Sequence, residues 1–142
     1  MTVITFTEGE LDQQLQNLVS QGFEKHSDDL CAPAYQKNSV NWVLSNRSGE
    51  CIAVLTADLL WDWIYIDELW VADTCRGLGY GKLLLEKAED YARDEELSGI
   101  WLWTQSWQAP KFYEQMGYVE FTRFDNFPKG HSRIGLRKTL NG

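Results

Sequence analysis

The chain has 142 residues, of which 44% are hydrophobic and 24% charged, with a formal net charge of −8. That length suits one domain over residues 1–142 with room for a substantial core, and the chain has no apolar run long enough to span a membrane. The acidic balance, with no block of Lys and Arg, excludes binding to a nucleic-acid phosphate backbone.

The first residues, Met1-Thr-Val-Ile-Thr-Phe-Thr-Glu8, lack the basic and apolar regions of a secretory signal. Cys31, Cys51 and Cys75 are an odd number, and none forms a Cys-x-x-Cys pair. Reduced thiols, a cytoplasmic location and no structural zinc are therefore expected.

In chain order, Thr2–Phe6 reads as a short strand. Residues 8–21 carry Leu11, Leu15, Leu18 and Val19 at helical spacing. Residues 23–39 are polar and read as irregular, with a short helix allowed before Pro33. Residues 40–45 and 51–60 read as a hairpin around Asn46-Arg-Ser-Gly49. A second tight turn falls within residues 58–63. Residues 63–71 alternate and are rich in β-branched and aromatic side chains, as in a strand. Residues 82–95 form the strongest helix signal. Residues 99–105 are strand-like. Residues 109–116 suit a short helix, with Pro110 in its first turn and Gly117 as its cap. Residues 118–124 and 133–140 are two further strands. The pattern is an α/β (α+β) layer protein.

The most informative stretch is Val71-Ala-Asp-Thr-Cys-Arg76-Gly77-Leu78-Gly79-Tyr80-Gly81-Lys82, between the strand and the strong helix. The first N–H groups of a helix lack internal partners, and the helix dipole favours an anion there. Glycines allow close approach of a phosphate, and Arg76 and Lys82 add charge. A Walker A loop is excluded by its spacing and because Leu83 stands where Ser or Thr is needed. A dinucleotide fingerprint starting at Gly77 fails because residue 82 is lysine. What remains is Arg-x-x-Gly-x-Gly, formed by Arg76, Gly79 and Gly81. It resembles the pyrophosphate-binding signature of the GNAT superfamily of acetyl-CoA-dependent N-acetyltransferases.

A second block, Ser106-Trp-Gln-Ala109-Pro-Lys-Phe112-Tyr113-Glu-Gln-Met-Gly117-Tyr118, resembles the later GNAT motif. The resemblance implies that Tyr113 protonates the departing coenzyme sulfur. Amine attack on a thioester expels a thiolate, and a phenol is a suitable donor. Many relatives have asparagine where Ser106 stands, and serine reaches less far towards the coenzyme. Phe112 is expected beside the coenzyme or in the core. A third block, Asn126 to Leu140, resembles the C-terminal strand of a GNAT subgroup known mostly as acetyltransferases without an assigned acceptor.

The resemblance implies a GNAT fold. Its mixed, mostly antiparallel central sheet is flanked by helices and splayed between the fourth and fifth strands, here residues 63–71 and 99–105. It also implies acetyl-CoA as co-substrate and no metal. The pantetheine arm would pair with backbone at Leu69, Trp70 and Val71, and the pyrophosphate would lie on Arg76, Gly77, Leu78, Gly79, Tyr80, Gly81 and Lys82.

Asp67 and Glu68 are candidates for binding the acceptor amine or passing its proton to water. Strand alternation lets only one of them face the cleft. His131, in a loop, is a minor candidate base, and His26 is expected to be exposed. Two distant histidines without spaced cysteines do not make a metal site. Trp61, Trp63, Trp70, Trp101, Trp103 and Trp107 are expected mainly to fill core, with a minority lining an acceptor pocket.

The expected activity is direct acetyl transfer to a primary amine in a ternary complex. The acceptor is a small molecule or peptide, and a homodimer is allowed. The alternative is a non-catalytic acyl-CoA sensor on the same fold.

Overall fold

The computed structural model describes residues 2–141. The chain divides into two compact units, one reaching Tyr35 and the other beginning at Gln36.

In the first unit, helix α1 spans Gln13–Asp29. Asp12 caps it, its carboxylate accepting the Leu15 N–H at 2.9 Å. The helix therefore starts later than the apolar spacing of residues 8–21 suggests. It also continues through Gly22 into the stretch expected to be irregular, because a single interior glycine weakens a helix without ending it. His26 lies in its last turn and is exposed. Thr2–Phe6 is not a strand. Alternation fits the segment to a sheet surface, but a strand exists only where a neighbour supplies hydrogen bonds.

The second unit is built on a six-stranded sheet of order β1-β2-β3-β4-β6-β5. The strands are β1 Lys37–Ser45, β2 Cys51–Leu60, β3 Trp63–Val71, β4 Gly99–Gln105, β5 Val119–Asp125 and β6 Ser132–Thr139. Among the described residues, only β3 and β4 pair in parallel. A parallel pair needs a crossover, and helix α2, Tyr80–Asp94, provides it. The short helix α3, Pro110–Gln115, follows β4. Asn46 closes the β1–β2 turn by accepting the N–H groups of Ser48 and Glu50.

One sheet face carries Leu55, Ala57, Ile64, Ile66, Ile100, Leu102 and Leu136, and α2 contributes Leu84, Leu85, Ala88 and Ala92 to the same core. Each large aliphatic side chain buried there contributes about 1.5–3 kcal/mol. Gly99 is required by close approach: a side chain there would run into the Lys138 carbonyl. The tryptophans differ from expectation. None of the six is in the buried core, and Trp61, Trp70 and Trp107 are exposed. Trp63, Trp101 and Trp103 alternate with the core residues and so lie on the opposite sheet face.

Two irregularities shape the cleft. Between β2 and β3, Ala57 pairs with Ile66 and Thr56 with Glu68, leaving Asp67 without a partner. This bulge inverts the alternation, so that Ile64 and Ile66 before it and Leu69 and Val71 after it all pack on the core. The second is the splay. β3 and β4 pair only from Trp63–Gly99 to Ile66–Leu102, and the strands part where the bulge begins.

Candidate active site

The turn after β3 passes through a short 3-10 segment, Asp73–Cys75, before α2 begins at Tyr80. Gly77 and Gly79 have φ of 77° and 84°, in the left-handed region that favours glycine. A side chain built on either would meet nothing within 4 Å, so these residues keep the surface of the turn open. Gly79 precedes α2 without a side-chain cap, and the first intrahelical bond runs from the Leu83 N–H to the Gly79 carbonyl at 3.0 Å. The N–H groups of Tyr80, Gly81 and Lys82 are left at the helix N-terminus, where an anion is favoured. Arg76 is held beside them, 2.9 Å from the Asp73 carboxylate. Its Nε donates to the Val71 carbonyl at 3.4 Å.

This turn forms one wall of a cavity of about 580 Å³. Leu69, Trp70, Val71, Arg76, Gly77, Gly79, Tyr80, Gly81, Lys82, Phe112 and Tyr113 all line it. A second cavity, of about 320 Å³, is lined by Asp67, Glu68, Trp103 and Gln108 among others. Leu69, Trp70, Ala109 and Tyr113 line both. The splayed strands thus open a slot running from the glycine turn at the N-terminus of α2 to a pair of carboxylates, with Tyr113 where the two cavities adjoin.

Tyr113 is 8% exposed. Burial alone pushes its phenol up to about 12, because loss of water penalises the phenolate. Its ring packs edge-on against Phe112 at 5.0 Å and Tyr118 at 5.8 Å. Phe112 also lies in contact range of Gly81, 3.6 Å from where a side chain there would begin, which ties α3 to the turn.

Asp67 and Glu68 both line the smaller cavity. The expectation that only one of them faces the cleft is corrected by the bulge, which breaks the period of two between Ile66 and Glu68. Leu78 is exposed and lines neither cavity. Ser106 also lies outside both. Its hydroxyl accepts the Ser132 N–H at 3.0 Å and its own N–H donates to the Ser132 carbonyl at 2.8 Å, joining the ends of β4 and β6. His131 packs against Trp107, ring centroids 4.9 Å apart, and lines neither cavity.

The sequence reading did not assign Cys75, Ile66, Leu102, Gln108 or Ala109 to the site, and Trp103 is, with Trp70, one of the tryptophans that line a cavity instead of filling the core. Gln108 and Ala109 lie inside the Ser106–Tyr118 block, so that motif carried a signal for them. The Gln108 side-chain oxygen accepts the Gln105 N–H at 2.8 Å, which fixes it at the cavity wall. Among the described residues, no group of three or more His, Cys, Asp or Glu side chains is arranged to hold a metal ion.

Known proteins resemble this chain in the same sense. The model of the acetyltransferase (GNAT) family matches residues 10–118. A blasticidin-S acetyltransferase of Streptomyces morookaense is 37% identical over 94 residues, 65% of this chain and 68% of that protein. The crystal structure of an acetyltransferase from Bacillus cereus superposes with a TM-score of 0.80 at 28% identity, covering 94% of this chain and 98% of that one. A Bacillus anthracis protein provisionally assigned as a streptothricin acetyltransferase was solved in complex with acetyl coenzyme A. It superposes with a TM-score of 0.64 at 26% identity, over 72% of this chain and 62% of its own. With its split sheet and glycine turn, and with a family match over most of its length, the chain belongs to the GNAT family of acetyltransferases.

Proposed function

We propose that the protein transfers the acetyl group of acetyl-CoA directly to the primary amine of a small molecule. The observation that carries this reading is the position of Tyr113 at the junction of the two cavities. Family membership and the likeness to an acetyl-CoA complex support the choice of co-substrate. The pyrophosphate is assigned to the N–H groups of Tyr80, Gly81 and Lys82, with Arg76 and Lys82 supplying charge. The pantetheine arm is assigned to the edge of β3 at Leu69, Trp70 and Val71, which β4 has left unpaired.

The acceptor is assigned to the smaller cavity. Its volume of about 320 Å³ suits a small molecule, and a relative that acts on blasticidin S points the same way. An amine is an ammonium in neutral water and must lose a proton before it attacks. Asp67 and Glu68 attract the cation and pass its proton to water. The neutral nitrogen adds to the thioester carbonyl, the C–N bond forms, the nitrogen gives up a second proton to the same carboxylates and water, and the C–S bond breaks as the tetrahedral intermediate collapses.

Tyr113 gives its proton to the departing sulfur. With its phenol pushed up to about 12, it holds that proton throughout the neutral range. The same dry surroundings that weaken the phenol as an acid also raise the proton affinity of a thiolate. Solvent then reprotonates the phenolate. In sum, the ammonium loses two protons, the thiol gains one, one is released to solvent, and no covalent enzyme intermediate forms.

The test is a panel of primary amines incubated with the protein and acetyl-CoA, following thiol release and the mass of the product. Amine-dependent thiol release with a gain of one acetyl group on the amine supports the reading. Tight acetyl-CoA binding with no amine-dependent release across the panel supports a sensor instead.

A further inference from the structure

Next to the larger cavity, sharing Lys82 and Phe112 with it, a further cavity is lined by a polar cluster that the transfer chemistry does not use. Glu89, on α2, is 4% exposed and lies in the helix stripe that also carries Leu85, Ala88 and Ala92. One carboxylate oxygen accepts from Lys138 Nζ at 2.8 Å, and the other accepts from the Tyr118 hydroxyl at 3.1 Å. Arg93, one turn further along α2, approaches to 3.8 Å. Lys138 also donates to the Met116 carbonyl at 2.8 Å. Met116 is the C-cap of α3, where the exposed carbonyls of a helix end favour a cation. A buried ion pair is seldom more stabilising than apolar packing of the same volume. Stability alone therefore does not account for a buried carboxylate paired with a half-buried ammonium, the Lys138 side chain being 24% exposed.

Both arms of the cluster end on Tyr113. The Tyr113 carbonyl accepts the N–H groups of Met116 and Tyr118, each at 3.0 Å. Lys138 holds Met116 through its carbonyl, and Glu89 holds Tyr118 through its hydroxyl. The Tyr118 ring packs edge-on against that of Tyr113. Glu89 itself belongs to the helix whose first turn forms the anion site. We infer that Glu89, Lys138 and Tyr118 are positioning residues that fix the Tyr113 hydroxyl relative to the phosphate-binding end of α2. They set the distance between the coenzyme sulfur and its proton donor. The inference rests on the assignment of Tyr113 as the acid.

A double-mutant cycle tests it, using an amine identified by the panel. Its four proteins are the parent, Tyr113→Phe, Glu89→Gln with Lys138→Met, and all three substitutions together. Replacing both charges at once leaves neither buried without its partner, and circular dichroism checks that each variant is folded. In the parent background, Glu89→Gln with Lys138→Met should lower kcat about 10- to 100-fold, as small misplacements of reacting groups do. Acetyl-CoA affinity should stay within about threefold, because the turn is untouched. In the Tyr113→Phe background the same pair should change kcat by less than about twofold, since the group being positioned is already gone. An equal fall in both backgrounds, or no fall in the parent background while Tyr113→Phe is slow, overturns this inference alone. An unimpaired Tyr113→Phe overturns the acid assignment and this inference with it.

Discussion

Asp67 and Glu68 are neighbours on one strand, yet both line the same cavity, because β3 carries one more residue than β2 between Ile66 and Glu68. A regular strand would send them to opposite faces. The extra residue thus puts two carboxylates on one cavity, beside the point where β3 and β4 separate.

Asp67→Asn and Glu68→Gln should therefore both matter. Each should raise the KM for the amine about 3- to 10-fold, the effect of losing one partly solvated charge contact. The double variant should be worse than either, and acetyl-CoA affinity should not change. Steady-state kinetics with the amine varied, paired with calorimetry for the coenzyme, checks this. If only one substitution has an effect, the two carboxylates do not share the acceptor.

Removal of Asp67 tests the bulge itself. Without it, Ile66 and Glu68 become successive residues opposite Ala57 and Thr56, the strand alternates regularly, and Leu69 and Val71 keep facing the core opposite Leu55 and Ala53. With the contacts of Leu69 and Val71 kept, stability should fall by no more than about 1 kcal/mol, while the KM for the amine rises as in Asp67→Asn. Urea unfolding measures the change, and a loss of about 3 kcal/mol, that of a fully buried apolar side chain, would show that Leu69 and Val71 do not keep their places without the extra residue.

Gly79→Asn probes the anion site without much backbone strain, since asparagine tolerates the left-handed conformation that Gly79 adopts at φ 84°. The parent should bind acetyl-CoA in the micromolar range, about −8 kcal/mol. The new side chain would stand over the open turn and should weaken binding at least tenfold. Calorimetry giving equal affinities for two folded proteins would remove the phosphate from this turn.

The sequence discloses this turn well because its demands are local. Left-handed backbone calls for glycine, and helix α2 announces itself by the spacing of Leu84, Leu85, Ala88 and Ala92. The strands β1 to β4 are legible for the same reason, through alternation against a buried face. Thr2–Phe6 alternates too, yet is not a strand, since strand pairing depends on a partner elsewhere in the chain. The bulge at Asp67 is a register between two strands, which neither strand encodes alone. The placement of Ser106 is of the same kind: its hydroxyl accepts from Ser132, a residue 26 positions away. Tyr113 was legible as a motif position, but its burial arises from Phe112, Tyr118 and the sheet beneath it.

Alkaline titration should reveal the buried phenols. Tyr113 is pushed up to about 12 by burial, and Tyr118 is raised by burial and by the adjacent Glu89 carboxylate. Unfolded tyrosine releases its proton near pH 10. Between about pH 10 and 12 the native state therefore binds more protons than the unfolded chain, and stability falls as pH rises. The contribution of Tyr113, on the order of 3 kcal/mol, is fully present below pH 10 and lost by about pH 12. Urea unfolding across this range should show a steeper decline in the parent than in Tyr113→Phe, and parallel declines would contradict the burial argument.

The most direct test of the account is the turnover of Tyr113→Phe set against its coenzyme affinity. At saturating acetyl-CoA and amine, kcat should fall by roughly 10²- to 10⁴-fold, the usual range for general acid help. The dissociation constant for acetyl-CoA should stay within a few-fold of the parent, because the phosphate turn and the β3 edge are intact. A kcat within a few-fold of the parent would contradict the claim that Tyr113 protonates the departing sulfur where the two cavities adjoin.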